Sequence, residues 1–196
     1  MPSACAVLVF ECQDLVLGEQ GPYQGLVQSA RSGMLDRLSR FLDEARRAHV
    51  PVIYCTISGR PGELGSAKTP MGDLARAAGV TRSGGRTSPV VAELTPVEGD
   101  VIVDRSHGMS GFHGTELDTV LRALGAETVI TTGVSANLGV LGTAIEAVNH
   151  GYRVVVPGDC IASDPPDYRE QILRYTYRNL AYVTTADHVA GVWAQR

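Results

Sequence analysis

Glu11, Cys55, Arg105, the turn Thr131 to Val140 and Asp159 are the residues whose types could do chemistry, and each lies in or just after a short apolar run. A carboxylate that closes such a run, as Glu11 does, is partly desolvated. Burial raises a carboxyl pKa, which suits a general acid or base near neutral pH. Arg105 offers a permanent positive charge, because guanidinium does not deprotonate in proteins. The turn Thr131-Thr132-Gly133-Val134-Ser135-Ala136-Asn137-Leu138-Gly139-Val140 leads into a helical pattern, and a helix start presents unpaired N–H groups to an anion or an oxyanion. Cys55 is a candidate thiol, but no histidine near it in sequence would lower its pKa. His107 and His113 flank Gly108 and Ser110 and read as surface or hydrogen-bonding histidines. The combination suits acid–base chemistry on a ligand that carries or develops negative charge.

The elements that position these residues follow from periodicity. Ala4 to Phe10, Pro51 to Ile57, Val101 to Val103, Thr128 to Thr132, Tyr152 to Val156 and Ala181 to Thr184 read as six strands. Helices are expected at Met34 to Ala48, with Leu35, Leu38, Phe41, Leu42 and Ala45 on one face, and at Met71 to Ala78. Thr115 caps a third helix, with Leu117, Val120, Leu121 and Leu124 inward. Others are expected at Leu138 to His150 (Leu141, Ile145 and Val148 recurring along it), Asp167 to Asn179 and Ala186 to Trp193. Strands alternating with helices predict a three-layer α/β/α, Rossmann-like domain over 1–196, with a mostly parallel six-stranded sheet. Ligands in such folds sit beyond the carboxyl ends of the strands, where the candidates converge.

Composition narrows the function. The chain has 196 residues, 44% hydrophobic and 19% charged, which is ordinary for a globular domain. A net charge of −4 argues against nucleic acid as a partner. The one cationic cluster with glycines, Arg82-Ser83-Gly84-Gly85-Arg86, reads as a solvated loop. Met1 to Phe10 lacks a basic leader, and its apolar run is too short to cross a membrane. Four cysteines without metal-ligand spacing point to a reduced, cytoplasmic protein. No G-x-G-x-x-G follows the first strand, so no dinucleotide is expected. No cofactor is expected.

Five segments in order resemble the isochorismatase-like (cysteine hydrolase) family: Val7 to Gln13, Gly108 to Leu117, Thr131 to Val140, Gly151 to Val156, and the acidic Asp159 that follows. The resemblance implies the strand order 3-2-1-4-5-6, a non-proline cis peptide between Val134 and Ser135, and a homodimer or larger homo-oligomer. It also implies a site in which Glu11 stands where most members have aspartate and Gly139 where they have the nucleophilic cysteine. The family's lysine has no counterpart, and Arg105 is the nearest cation. The zinc-dependent branch would need histidines after the second strand, where Thr56 to Gly62 offers none, so no metal is expected. Glycine at the nucleophile position matches the true isochorismatases, which hydrolyse a vinyl ether without a thiol. The function implied is therefore acid-catalysed hydrolysis of a small anionic, vinyl-ether-like substrate. Glu11 and Arg105 would be catalytic, and Gln13, Cys55, Ser135, Asn137, Leu138 and Gly139 would bind substrate. The alternatives are an amide or C–N hydrolase with a non-standard nucleophile, and a non-catalytic binding or assembly member.

Overall fold

The computed structural model describes residues 4–19, 21–60, 68–77 and 88–195. The cationic cluster 82–86, and residues 61 and 62 of the segment examined for zinc ligands, lie outside them. Seven strands form one sheet: β1 (Cys5–Phe10), β2 (Val52–Ile57), β3 (Val101–Arg105), β4 (Thr128–Val134), β5 (Arg153–Pro157), β6 (Ile161–Ala162) and β7 (Tyr182–Thr184). The order is β3-β2-β1-β4-β5-β7, and every pairing between named strands is parallel. The path is the expected one, but the sheet has seven strands rather than six. The additional strand, β6, is two residues long and pairs only with Gly133 and Val134 at the end of β4. Two residues are too few to show the period of an apolar run.

Alternate residues of the strands feed two cores, as a sheet covered on both faces requires. Val7, Val9, Val52, Tyr54 and Ile130 pack against α3 (Leu35–Arg47) and α8 (Ala186–Ala194). Leu8, Phe10, Ile53, Cys55, Val103 and Val154 pack against α5 (Leu117–Ala123), α6 (Gly139–Asn149) and α7 (Tyr168–Tyr175). Three shorter α-helices among the described residues are α1 (Asp14–Leu17), α2 (Gln24–Ser29) and α4 (Pro70–Ala77). The inward face of α3 is the expected one: Leu35, Leu38, Phe41, Leu42 and Ala45 are all buried.

Helix α6 faces the sheet with its small residues. Its buried residues are Gly139, Val140, Thr143, Ala144 and Ala147, while Ile145 and Val148 are 45% and 44% exposed. A helix apolar on several sides has more than one candidate inward face, and small residues let its backbone sit close to the sheet. Leu124, expected inward on α5, is also exposed.

Candidate active site at the carboxyl ends of the strands

The close approach of β1 and β4 sets the floor of the site. Phe10 pairs with Gly133, whose φ is 96°. A Cβ there would stand 2.7 Å from the Phe10 backbone nitrogen, so only glycine allows the two strand ends to meet. Beyond this point the peptide between Val134 and Ser135 is cis. The turn that follows is pinned by Ala136, whose N–H donates to the Ala162 carbonyl at 2.7 Å and whose carbonyl accepts from Tyr177 Oη at 2.7 Å. β6 and Tyr177 thus hold the chain that delivers Gly139 to the start of α6.

Glu11 leaves β1 with φ 48°, in the left-handed region that residues bearing a Cβ seldom adopt. Its N–H still bonds the Cys55 carbonyl at 3.1 Å. The bend aims its carboxylate at Arg105, and Arg105 Nη2 donates to Glu11 Oε1. The Arg105 side chain is 3% exposed and that of Glu11 18%. Strand register brings the arginine here, since Arg105 pairs with Ile57 on β2. Its Nη1 reaches the Thr56 carbonyl at 3.3 Å, Nε reaches the Gly108 carbonyl at 3.5 Å, and its Cζ lies 4.6 Å from the Phe10 ring centroid. A buried cation needs this many partners. The guanidinium only donates, so the Glu11 oxygen it touches acts as acceptor and Oε2 is left to handle a proton.

Gly139 opens α6, and the Phe10 ring, over which Arg105 lies, stands where its side chain would project. Cys55 lies in the same corner and is 1% exposed. Burial pushes its thiol up to about 12, opposed by the charge of Arg105 and assisted by that of Glu11. It is therefore a protonated packing group at neutral pH. Ser135 is half-buried, and its carbonyl accepts from Leu138 and Val140 at the start of α6. Leu138 is 42% exposed. Asn137 Oδ1 is buried with no hydrogen-bond partner among the described residues, a polar atom left open beside the helix start.

Two residues chosen from sequence hold the scaffold instead. Gln13 is 0% exposed; its Nε2 donates to the Ile57 and Ser88 carbonyls at 3.1 and 2.9 Å, and its Oε1 accepts from the Ile57 N–H at 2.7 Å. Its amide ties β1 to β2 and faces inward, so it replaces the expected substrate contact with a structural one. Asp159 accepts from the Ala186 N–H at 2.9 Å and faces Arg37 Nε at 3.6 Å, which fixes the start of α8. His107 and His113 stack edge to face at 5.1 Å between centroids.

Sequence reasoning missed Phe10, Thr143 and the way the 108–116 loop is fastened. Thr143 Oγ1 donates to the Gly139 carbonyl at 2.7 Å and accepts from the Gly111 N–H at 3.0 Å. Ser110 Oγ donates to Glu146 Oε2 at 2.8 Å. The only signal for Thr143 was a hydroxyl placed within an apolar helix. Among the described residues no three His, Cys, Asp or Glu side chains gather to hold a metal. A groove of about 550 Å³ lies elsewhere, at the opening residues of β1, β4, β5 and β7 (Cys5, Thr128, Arg153 and Tyr182), at the opposite end of the sheet.

A parallel sheet in this order with helices on both faces defines a three-layer α/β/α fold, and Glu11 and Arg105 meet at the carboxyl ends of its strands. The chain belongs to the isochorismatase family of hydrolases: the isochorismatase domain matches residues 5–188. It is 28% identical over 210 residues to ureidoacrylate amidohydrolase RutB of Agrobacterium fabrum, covering 99% of this chain and 92% of that protein. The structure resembles a cysteine hydrolase from Pseudomonas syringae pv. phaseolicola (TM-score 0.82, 27% identity, 98% and 93% of the two chains). It also resembles N-carbamoylsarcosine amidase from Thermoplasma acidophilum (TM-score 0.72, 25% identity, 93% and 96%). Among the described residues no helix is long and apolar enough to cross a membrane.

Proposed function

We propose that this protein hydrolyses a small anionic substrate without a thiol nucleophile, using Glu11 for proton transfer and Arg105 for charge. The observation that carries the reading is the contact between Arg105 and Glu11, linked to Gly139 through the Phe10 ring. Arginine cannot give up a proton, so the acid–base work falls to Glu11. On a vinyl ether, Glu11 would take up a proton from solvent on Oε2, the oxygen Arg105 leaves free, and pass it to the terminal vinyl carbon. Water then adds to the oxocarbenium carbon, returning a proton to the carboxylate, and the hemiketal breaks to a ketone and an alcohol. Arg105 holds one carboxylate oxygen, and its buried positive charge favours an anionic group at the site. The backbone of 133–139 with Ser135, Asn137 and Leu138 forms the opposite wall.

A second reading keeps the same pair but makes Glu11 the base that activates a water against an amide or ureido carbon. The amidohydrolase and amidase names of the relatives favour it. Both readings are tested with a panel of vinyl ethers, N-carbamoyl compounds, amides and esters, assayed on wild type and Glu11→Gln. Turnover of a vinyl ether that disappears in Glu11→Gln supports the first reading, and turnover of an amide or ureido compound that disappears supports the second. Turnover of none of them leaves a binding or assembly role. A homo-oligomer belongs to the same proposal, supported by the apolar residues that α6 leaves uncovered.

A further inference from the structure

Phe10 precedes Glu11 and is 1% exposed. The Arg105 guanidinium lies over the Phe10 ring, 4.6 Å from the centroid. Gly139 also abuts the ring: an added Cβ there would stand 2.8 Å from Cδ1 and 2.9 Å from Cζ, and nearer still to Cε1. Carbon atoms without a bond keep about 3.5 Å or more between them, so the ring occupies the volume of any side chain at 139. Retreat is blocked by the core around it, which includes Cys55, Ala136 and Val140, all buried. A planar ring moves only by changing rotamer, and in a filled core that displaces its neighbours.

The location makes this occupancy consequential. Gly139 is the first residue of α6, which has 11 residues. A thiol at such a helix start has its thiolate favoured by the first N–H groups and gains reactivity. The structure therefore holds a favourable place for a nucleophile and fills it with a hydrocarbon ring.

We propose that Phe10 is the specificity-determining residue of this site: its ring closes the slot at position 139 against any side chain and confines the chemistry to water. Phe10 and Gly139 then form one unit, in which neither can change to a different size without the other. Phe10 acts through position 139 and through Arg105, which makes it a positioning residue. The proposal rests on the reading of this cluster as the active site.

The test is a cycle of Gly139→Ala, Phe10→Val and the double variant, followed by urea denaturation. Alanine is intrinsically better than glycine in a helix, so any loss caused by Gly139→Ala comes from the ring. The expected result is a lower midpoint for Gly139→Ala in the wild-type background, and an unchanged or higher midpoint when Phe10 is already valine. A companion pair, Gly139→Cys with and without Phe10→Val, is treated with iodoacetamide and mapped by mass spectrometry. Residue 139 should be alkylated about tenfold or more faster in the double variant, at a pH below that of an ordinary thiol. If the single Gly139→Cys fails to fold, the ring has excluded the side chain, and the alanine cycle supplies the number. The proposal is overturned if Gly139→Ala is tolerated equally with and without Phe10, or if the single cysteine reacts as fast as the paired one. Neither readout needs a substrate, so they are independent of the functional reading. Unchanged turnover in Glu11→Gln would remove the active-site assignment and leave the Phe10–Gly139 pair standing.

Discussion

Arg105 and Glu11, 94 positions apart in sequence, meet through Nη2 and Oε1 in a pocket where the arginine is 3% exposed. From sequence the two stood at the ends of different strands with no way to say whether Arg105 pointed inward. Strand register decides it: Arg105 faces Ile57, and the left-handed backbone of Glu11 turns the carboxylate back over β2. The glutamate is therefore half of an ion pair and not an isolated acid in an apolar pocket.

That pairing gives Glu11→Gln a cost in stability as well as in turnover. Removing one partner of a buried pair leaves the other charge uncompensated, at about 3–5 kcal/mol for full burial and less here because Glu11 keeps some solvent. Arg105→Met should be similarly unstable. The double variant Glu11→Gln/Arg105→Met should recover part of the loss, since no buried charge remains. Urea melts of the four proteins measure this, and losses that simply add would show that the two side chains are not coupled.

The thiols set the alkaline limit. Burial raises Cys55 from 9.0 to about 12 and raises Cys12 and Cys160 as well. Buried Tyr54 and Tyr177 are raised too, chiefly by burial. A group that holds its proton more tightly when folded contributes stability that is complete below its unfolded pKa and is lost as pH rises through the folded one. Through Cys55, stability should begin to fall above about pH 9 and continue falling to about pH 12. Melting temperatures across pH 7 to 11 test the sign. At pH 7 iodoacetamide should leave turnover intact; inactivation through Cys55 would restore the thiol mechanism.

Asp159 separates position from participation. It closes a strand on the same side of the sheet as Glu11, yet its contacts are the Ala186 N–H and Arg37. Asp159→Ala should cost about 1 kcal/mol, as loss of a helix-start acceptor does. Its kcat should match wild type on any substrate found. A fall in kcat with unchanged melting would place Asp159 in the chemistry.

Much of the fold was legible because strands and α3 carry one dominant period each, and the strand-end rule then pointed to the corner where Glu11 and Arg105 meet. What stayed hidden was decided between elements. Phe10 reads as the last apolar residue of a strand until β4 and α6 bring Gly139 against its ring. Gln13 reads as a polar group at a strand end, although Ile57 and Ser88 consume its amide. The inward face of α6 was not legible, because Leu141, Ile145 and Val148 outweigh Ala144 and Ala147 in hydrophobicity. The sheet, however, accepts the side whose small residues fit closest.

Thr143 is where that close fit also carries polarity, and its two halves can be tested apart. Its hydroxyl donates to the Gly139 carbonyl and accepts from the Gly111 N–H, while its methyl would lie 3.5 Å from a Cβ on Gly111. Thr143 is 0% exposed and Gly111 is buried. Thr143→Val keeps the shape and leaves the Gly111 N–H without an acceptor, which should cost about 1–3 kcal/mol. Thr143→Ser keeps both hydrogen bonds and loses one methyl, which should cost about 1 kcal/mol. Hydrogen exchange at the Gly111 amide should accelerate in the valine variant and stay near wild type in the serine variant. Because the same hydroxyl touches Gly139, the valine change should also loosen the start of α6 and raise KM more than it lowers kcat. Equal exchange and equal stability in the two variants would mean that the methyl, and not the hydroxyl, fastens the loop to the site.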